Sequence, residues 1–180
     1  MKCWRRSFNI YLLAAIVAVG CETDSLSPKK EYSKVRVYME SQEGDGILVR
    51  VGRDKTPIYV KAEPILEEED VQGARLEDNA DGTVGIQVKF DEHGGIVLDM
   101  ESTANRGRHL VLFCQFRPSK GSSDAVADLG KSLPWLAMVP IRGGLTGGVV
   151  QFTVPASPEE AQQIVKGINN SVAELQKMGN

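Results

Sequence analysis

Cys114 is the side chain in this sequence with the greatest capacity for nucleophilic chemistry, because a cysteine thiolate attacks carbonyl and disulfide groups. It lies inside the continuous apolar run 110–116, and nothing in the sequence places His93 or His109 where it would activate a thiol. A free cysteine in such a run behaves as a small hydrophobe. We therefore predict that Cys114 is buried and unpaired, and that it is not a nucleophile.

Acidic and amide side chains near the middle of the chain resemble the start of a calcium-binding loop. Its first, third, fifth and sixth positions are matched by Glu77, Asn79, Asp81 and Gly82. The twelfth position, which should supply a bidentate glutamate, is Val88. A hairpin turn is therefore the better interpretation of this segment.

Other common catalytic arrangements are absent from the sequence. It has two histidines, no cluster of metal-ligating residues, no Gly-x-Ser-x-Gly motif and no close pair of acids in an apolar setting. We predict no catalytic residue, no metal, no cofactor and no enzymatic activity. The net charge of −3 argues against nucleic acid as a partner.

Four glycines lie within residues 142–148, a segment that we call the glycine loop. It is not a phosphate cradle, because no Lys-Ser/Thr pair follows and the spacing differs from a dinucleotide-binding loop. Two interpretations remain open: the glycines only turn the chain between two buried strands, or the loop is a mobile lip that contacts a polypeptide, with an exposed tryptophan beside it. The residues predicted for such a contact are Trp135, Arg142, Gly143, Gly144, Thr146, Gly147 and Gly148.

Regular elements surround this loop. A strand on each side is followed by a helix with a capping box at Ser157 and Glu160 and a proline at the first helical position. Helical spacing predicts one buried face, made of Ala161, Ile164, Val165, Ile168, Val172 and Leu175. The predicted fold class is α+β, a mixed or antiparallel sheet with two main helices packed on it.

Earlier elements follow from the same patterns. Alternation of apolar and polar residues predicts one hairpin from strands 35–39 and 47–51 and a third extended segment at 58–62. The same pattern predicts a second hairpin from strands 74–76 and 84–90. The continuous apolar run 110–116 predicts a central strand. The acidic run 67–70 is predicted to be a short, solvated helical turn, and 118–132 a surface excursion. Asp91 is predicted to cap a helix that ends near residue 105 and buries Val97, Leu98, Met100 and Ala104.

The N-terminus has the pattern of a secretory signal. Three basic residues precede the apolar run 10–19, which is too short to cross a bilayer as a stable helix. Ala18-Val19-Gly20-Cys21 resembles the bacterial lipobox, although leucine is commoner than alanine at its first position; the alternative is an uncleaved anchor. We predict a lipoprotein signal peptide at 1–20, lipid attachment at Cys21, a flexible tether at 21–33 and a single domain at 34–180. The protein would then lie in the bacterial cell envelope, held on the membrane by lipid and facing the periplasm or the exterior.

A series of short motifs runs in order between residues 59 and 169. The early motifs are carried by Asp70, Ala74, Leu76, Val88, Phe90, Gly94, Ser102, Asn105 and Gly107. The closing motifs are carried by Ile141, Gly143, Gly144, Gly147, Phe152, Thr153, Glu160 and Ala161. The order of these motifs resembles the periplasmic P1 head subdomain of the SecD/SecDF protein-export proteins. The family's Leu-Asp-Gly-Lys-Val hairpin is missing, and the 118–132 segment stands in its place.

The resemblance implies a binding or accessory module that contacts exported or envelope polypeptides. The sequence has no further apolar segments of membrane-spanning length, so we expect no proton-driven motor activity. Two alternatives remain: a structural envelope lipoprotein, and an envelope enzyme acting on a small molecule or glycan.

Overall fold

A computed structural model describes residues 30–79, 83–119 and 134–179. The predicted signal peptide, Cys21, the tether up to residue 29, the turn residues 80–82 and most of the predicted excursion lie outside the described residues. The strands are β1 (Tyr32–Met39), β2 (Ile47–Val51), β3 (Thr56–Val60), β4 (Val71–Asp78), β5 (Val84–Phe90), β6 (His109–Arg117), β7 (Trp135–Pro140) and β8 (Val149–Thr153). The helices are α1 (Glu92–Ala104) and α2 (Pro158–Met178), and a 3-10 turn occupies Glu68–Asp70.

The strands form three antiparallel sheets, with orders β1-β6-β7, β4-β5-β8 and β2-β3. The predicted α+β class is confirmed, with three sheets among the described residues in place of one. β6 is the central strand of its sheet, as its apolar run predicts, because its side chains are covered on both faces. The hairpin predicted from residues 74–76 and 84–90 is confirmed as β4 and β5.

The predicted hairpin between residues 35–39 and 47–51 is wrong. β1 pairs with β6, and β2 pairs with β3. The reason is that β1 and β2 bury their apolar residues in different clusters: Val35 belongs to the main core and Val49 to a smaller one against β6. Alternation shows that a segment is a strand with one buried face, but it does not identify the partner strand.

α2 follows the prediction closely. Ser157 Oγ accepts a hydrogen bond from Glu160 N at 3.2 Å, and Glu160 Oε2 accepts one from Ser157 N at 2.7 Å, which completes the capping box. Its buried residues are Ala161, Ile164, Gly167, Ile168 and Val172, and Val165 and Leu175 are half-buried. This face covers β1 and β4, so α2 closes the main core between two sheets.

The buried face of α1 differs from the prediction. Asp91 is the N-cap, and its Oδ1 accepts from Gly94 N at 2.8 Å, as expected. The buried positions are Gly94, Leu98 and Ser102, whereas Met100 is 66% exposed. Ala104 is exposed as well. The buried stripe therefore follows i, i+4, i+8 through one small and one polar residue, which hydrophobic spacing alone does not reveal.

The acidic turn is not a solvated surface throughout. Glu68 is buried, and its carboxylate accepts hydrogen bonds from Lys34 Nζ and from Arg36 Nε, the latter at 3.0 Å. The pKa of Glu68 lies below its ordinary value, because these two cations outweigh the opposing effect of burial. The ion pairs join the turn to β1.

Candidate functional site

The glycine loop packs directly on α1. A Cβ added at Gly148 would lie 3.1 Å from Gly95 Cα, and one added at Gly144 would lie 2.8 Å from Thr103 Oγ1. Both distances are shorter than a side chain tolerates without a shift of its neighbours. Gly147 and Gly148 also have positive φ angles of 85° and 66°. Gly147 and Gly148 therefore provide left-handed backbone that other residues rarely adopt. Gly144 and Gly148 allow the loop to approach α1 closely.

Hydrogen bonds fix the loop in this position. Leu145 N donates to the fully buried Ser102 Oγ at 2.7 Å, and Phe90 N donates to Gly148 O at 2.8 Å. The loop also crosses from β7 in one sheet to β8 in another, and so it is not a turn between neighbouring strands. In this structure the loop is packed against α1 and held there by hydrogen bonds, and it does not project freely into solvent.

A groove of 530 Å³ lies between the loop and α1. Its lining residues are Gln72, Lys89, Phe90, Asp91, Glu92, Gly95, Ile96, Asp99, Met100, Thr146, Gly147 and Gly148. Ile96 and Met100 are one helical turn apart and are 56% and 66% exposed. These two side chains give this side of the groove an apolar surface.

The charge of the groove is mainly negative. Asp91, Glu92 and Asp99 are three carboxylates on its α1 wall, and Lys89 is the basic side chain of its lining. A segment that offers apolar side chains together with a basic one is therefore complementary to it.

The structure brings only part of the predicted site together. Thr146, Gly147 and Gly148 line the groove, and Gly144 packs against the adjacent part of α1. Gly143 has open space where a Cβ would be. Arg142 is exposed and is not a lining residue.

Trp135 lies elsewhere. It is the first residue of β7, at the opposite end of that strand from the glycine loop. It is half-buried and makes edge-to-face contacts with Tyr38 and Phe113, with ring centroids 5.0 Å apart in both cases. Trp135 therefore belongs to an aromatic cluster on the β1-β6-β7 sheet and not to the groove.

Ile96, Asp99 and the other α1 residues are the part of the groove that the sequence analysis missed. The available signal was the pair Ile96 and Met100, spaced i, i+4 on a helix whose other face carries Leu98. Because the sequence analysis predicts Met100 on the buried face of α1, it does not identify Ile96 and Met100 as an exposed pair.

The titratable groups that the sequence singled out are separated. Cys114 is 1% exposed, and burial raises the pKa of its thiol to about 12. His109 Nδ1 lies 2.8 Å from Glu40 Oε2, and His93 Nδ1 lies 2.8 Å from Asp70 Oδ1. Neither imidazole is therefore an activating partner of the thiol.

Asp70, Asp91 and His93 form a cluster that the sequence analysis did not consider. Their ligand atoms lie within 4.8 Å of one another. Both carboxylates are already engaged in capping: Asp70 Oδ2 accepts from Glu67 N at 2.9 Å, and Asp91 Oδ1 caps α1. The positive end of the α1 dipole also disfavours a cation here, so we interpret the cluster as a helix-capping arrangement.

Neither helix combines the length and hydropathy needed to cross a bilayer, within the part of the chain that the structure describes. No protein-family model and no curated protein matches this sequence.

Two solved structures of SecDF have a similar fold. One is described as a membrane component SecDF that enhances protein export; the TM-score is 0.51 with 14% identity over 77% of this chain. The other is SecDF in a super-membrane-facing form, with a TM-score of 0.52 and 15% identity over 76% of this chain. The chain has a SecDF P1 head-like fold. The resemblance drawn from the motifs is thereby confirmed for the fold. The match spans 62% of the first SecDF chain and 18% of the second.

Proposed function

We propose that this protein is a lipid-anchored, extracytoplasmic module that binds extended segments of exported or envelope polypeptides in the groove between α1 and the glycine loop. It does so without motor activity and without catalysis. The P1 head-like fold supports a module related to protein export, since one similar structure is of SecDF, a membrane component that enhances protein export.

One observation carries the proposal: Ile96 and Met100 project from α1 beside the groove while Leu98 and Ser102 face the core. Covering these two side chains would remove apolar surface from water, which favours binding of an apolar segment. An extended polypeptide fits the groove because it offers apolar side chains for this pair and a basic one for Asp99, which lies beyond the first turn of α1.

The glycine loop supplies the opposite wall. Gly147 has no side chain and open space where a Cβ would be, so a bound segment can approach the loop backbone closely there. Thr146 adds a hydroxyl that donates to or accepts from a main chain. Recognition through backbone groups and general apolar contact suits a partner that is defined by being unfolded and not by one sequence.

Site-specific photo-crosslinking tests this location. A photoreactive residue at position 100 should crosslink to reduced, carboxymethylated α-lactalbumin, a soluble polypeptide that stays unfolded. The matched control is position 48, because Leu48 is 51% exposed on β2 and lies outside the groove. Equal crosslinking at the two positions, or none at position 100, would contradict the proposal.

A further inference from the structure

Asp99 is a carboxylate of the groove that no other side chain engages. It lies half-buried on the α1 wall. Within the described parts of the chain, neither an ion pair nor a hydrogen bond involves its side chain. Lys89, the basic side chain of the lining, therefore does not neutralise it.

The other two carboxylates of this wall differ from Asp99 in their surroundings. Asp91 Oδ1 caps α1, and Glu92 lies in the first turn, where the helix dipole stabilises negative charge. Asp99 lies beyond the first turn and has neither advantage. Half-burial removes part of its water, so a cation brought by a bound molecule would gain more at Asp99 than at a fully exposed carboxylate.

The glycine loop reaches Asp99 without covering it by a side chain. A Cβ added at Gly144 would lie 2.9 Å from Asp99 Oδ1. Glycine at position 144 therefore brings the loop backbone close to the carboxylate and leaves the carboxylate itself in place. This contact fixes Asp99 between the loop and the apolar part of the α1 wall.

Apolar surface borders Asp99 on the helix. Ile96 is three residues before Asp99 and four before Met100, so it is adjacent to both on the surface of α1. Lysine and arginine side chains carry a cation at the end of an apolar stem. The stem of such a side chain matches Ile96 and Met100, which are 56% and 66% exposed, and its cation matches Asp99.

We infer that Asp99 is a specificity-determining residue of the groove, which binds a lysine or arginine side chain of the polypeptide. The inference rests on the proposed function for the location of the site, and it adds which unfolded segments are bound: those in which a basic residue is flanked by apolar ones. Segments with an acidic residue at this place are disfavoured, because their charge would lie against the carboxylate.

Three short peptides test the inference. They are acetylated, amidated and fluorescently labelled, and they differ only at a central position between leucines, which is lysine, norleucine or glutamate. Lysine and norleucine share an apolar stem, so their comparison isolates the cation. Fluorescence anisotropy should show about fivefold tighter binding of the lysine peptide than of the norleucine peptide, the effect of one partly exposed ion pair. The glutamate peptide should bind most weakly, and these differences should shrink as salt is added.

Substitutions of Asp99 assign the preference to this residue. Asp99→Asn should abolish the preference for lysine and leave the affinity for the norleucine peptide unchanged, which also shows that the groove is still folded. Asp99→Lys should reverse the preference in favour of the glutamate peptide. Glu174→Gln changes the net charge as Asp99→Asn does but lies outside the groove, and it should keep the preference for lysine.

A preference for lysine that survives in Asp99→Asn would overturn the inference, and so would equal affinity of the unsubstituted protein for the lysine and norleucine peptides. If the norleucine peptide binds in a way that depends on Ile96 and Met100, the proposed function stands even when the preference is absent. Failure of all three peptides to bind would overturn both.

Discussion

Gly148 and Gly95 bring the glycine loop and α1 into backbone contact: a Cβ on Gly148 would lie 3.1 Å from Gly95 Cα. A side chain at position 148 would therefore push the loop away from the helix. The contact fixes the spacing between the two walls of the groove.

Gly148→Ala should therefore destabilise the fold by roughly 1–3 kcal/mol, since alanine would add left-handed backbone strain to the close contact. Gly143→Ala is the matched control, because Gly143 has a negative φ and nothing within 4 Å of an added Cβ. Urea unfolding of both variants measures the difference. Equal destabilisation by the two substitutions would contradict the docked geometry of the loop.

Glu68 should make the fold sensitive to acid. Its folded-state pKa is below the ordinary value of 4.5, so its ion pairs with Lys34 and Arg36 stabilise the fold above that pH. This stabilisation is lost as the pH falls through the folded-state pKa.

Thermal unfolding of Glu68→Gln should show a lower Tm near neutral pH and a shallower loss of Tm on acidification. Glu174→Gln is the control, because Glu174 is exposed and has no ion pair among the described residues. If Tm falls with pH in Glu68→Gln as steeply as in the unsubstituted protein, the Glu68 carboxylate is not the group that makes the fold sensitive to acid.

The Cys114 thiol should react slowly in the folded protein. Burial keeps it protonated and out of reach, and its pKa is raised to about 12. Labelling with a thiol reagent, with mass spectrometry to separate Cys114 from the N-terminal cysteines, should be slow in buffer and fast in denaturant. Rapid labelling in buffer, or a disulfide-linked dimer in a non-reducing gel, would refute this.

Cys21 should be the lipid-bearing N-terminal residue of the mature protein, because the lipobox-like segment places it directly after the signal. Mass spectrometry of detergent-extracted protein should find an acylated N-terminus at Cys21. Cys21→Ser should abolish the acylation and leave the precursor unprocessed. An intact Met1 in the mature protein would contradict the anchor.

Local signals in the sequence specified much of the fold. The cap at Ser157, the helical apolar spacing of α2 and the apolar run of β6 each identify an element whose stabilising groups are close in sequence. Strand pairing is not local. Val35 and Val49 have the same alternating pattern, yet they belong to different clusters because their strands pair with β6 and β3.

The sequence predicts only one wall of the groove, the glycine loop, and not the wall formed by α1. Four glycines marked the loop, because their backbone entropy has to be offset by something in the fold. The opposite wall depends on which face of α1 is buried, and this is decided by packing of Gly94 and Ser102, residues that carry no hydrophobic signal. Trp135 was placed beside the loop by closeness in sequence, but the length of β7 separates the two.

The measurement that tests the central claim most directly is the affinity of the groove for an unfolded polypeptide. Fluorescence anisotropy with labelled, carboxymethylated α-lactalbumin should show binding to the unsubstituted protein, and a loss of about tenfold or more in the double variant Ile96→Gln/Met100→Gln, which removes the apolar contact area. Leu48→Gln, which changes an exposed apolar side chain of β2 outside the groove, should bind as the unsubstituted protein does. If the double variant keeps full affinity while remaining folded, or if the unsubstituted protein does not bind the probe, the groove is not a polypeptide-binding site.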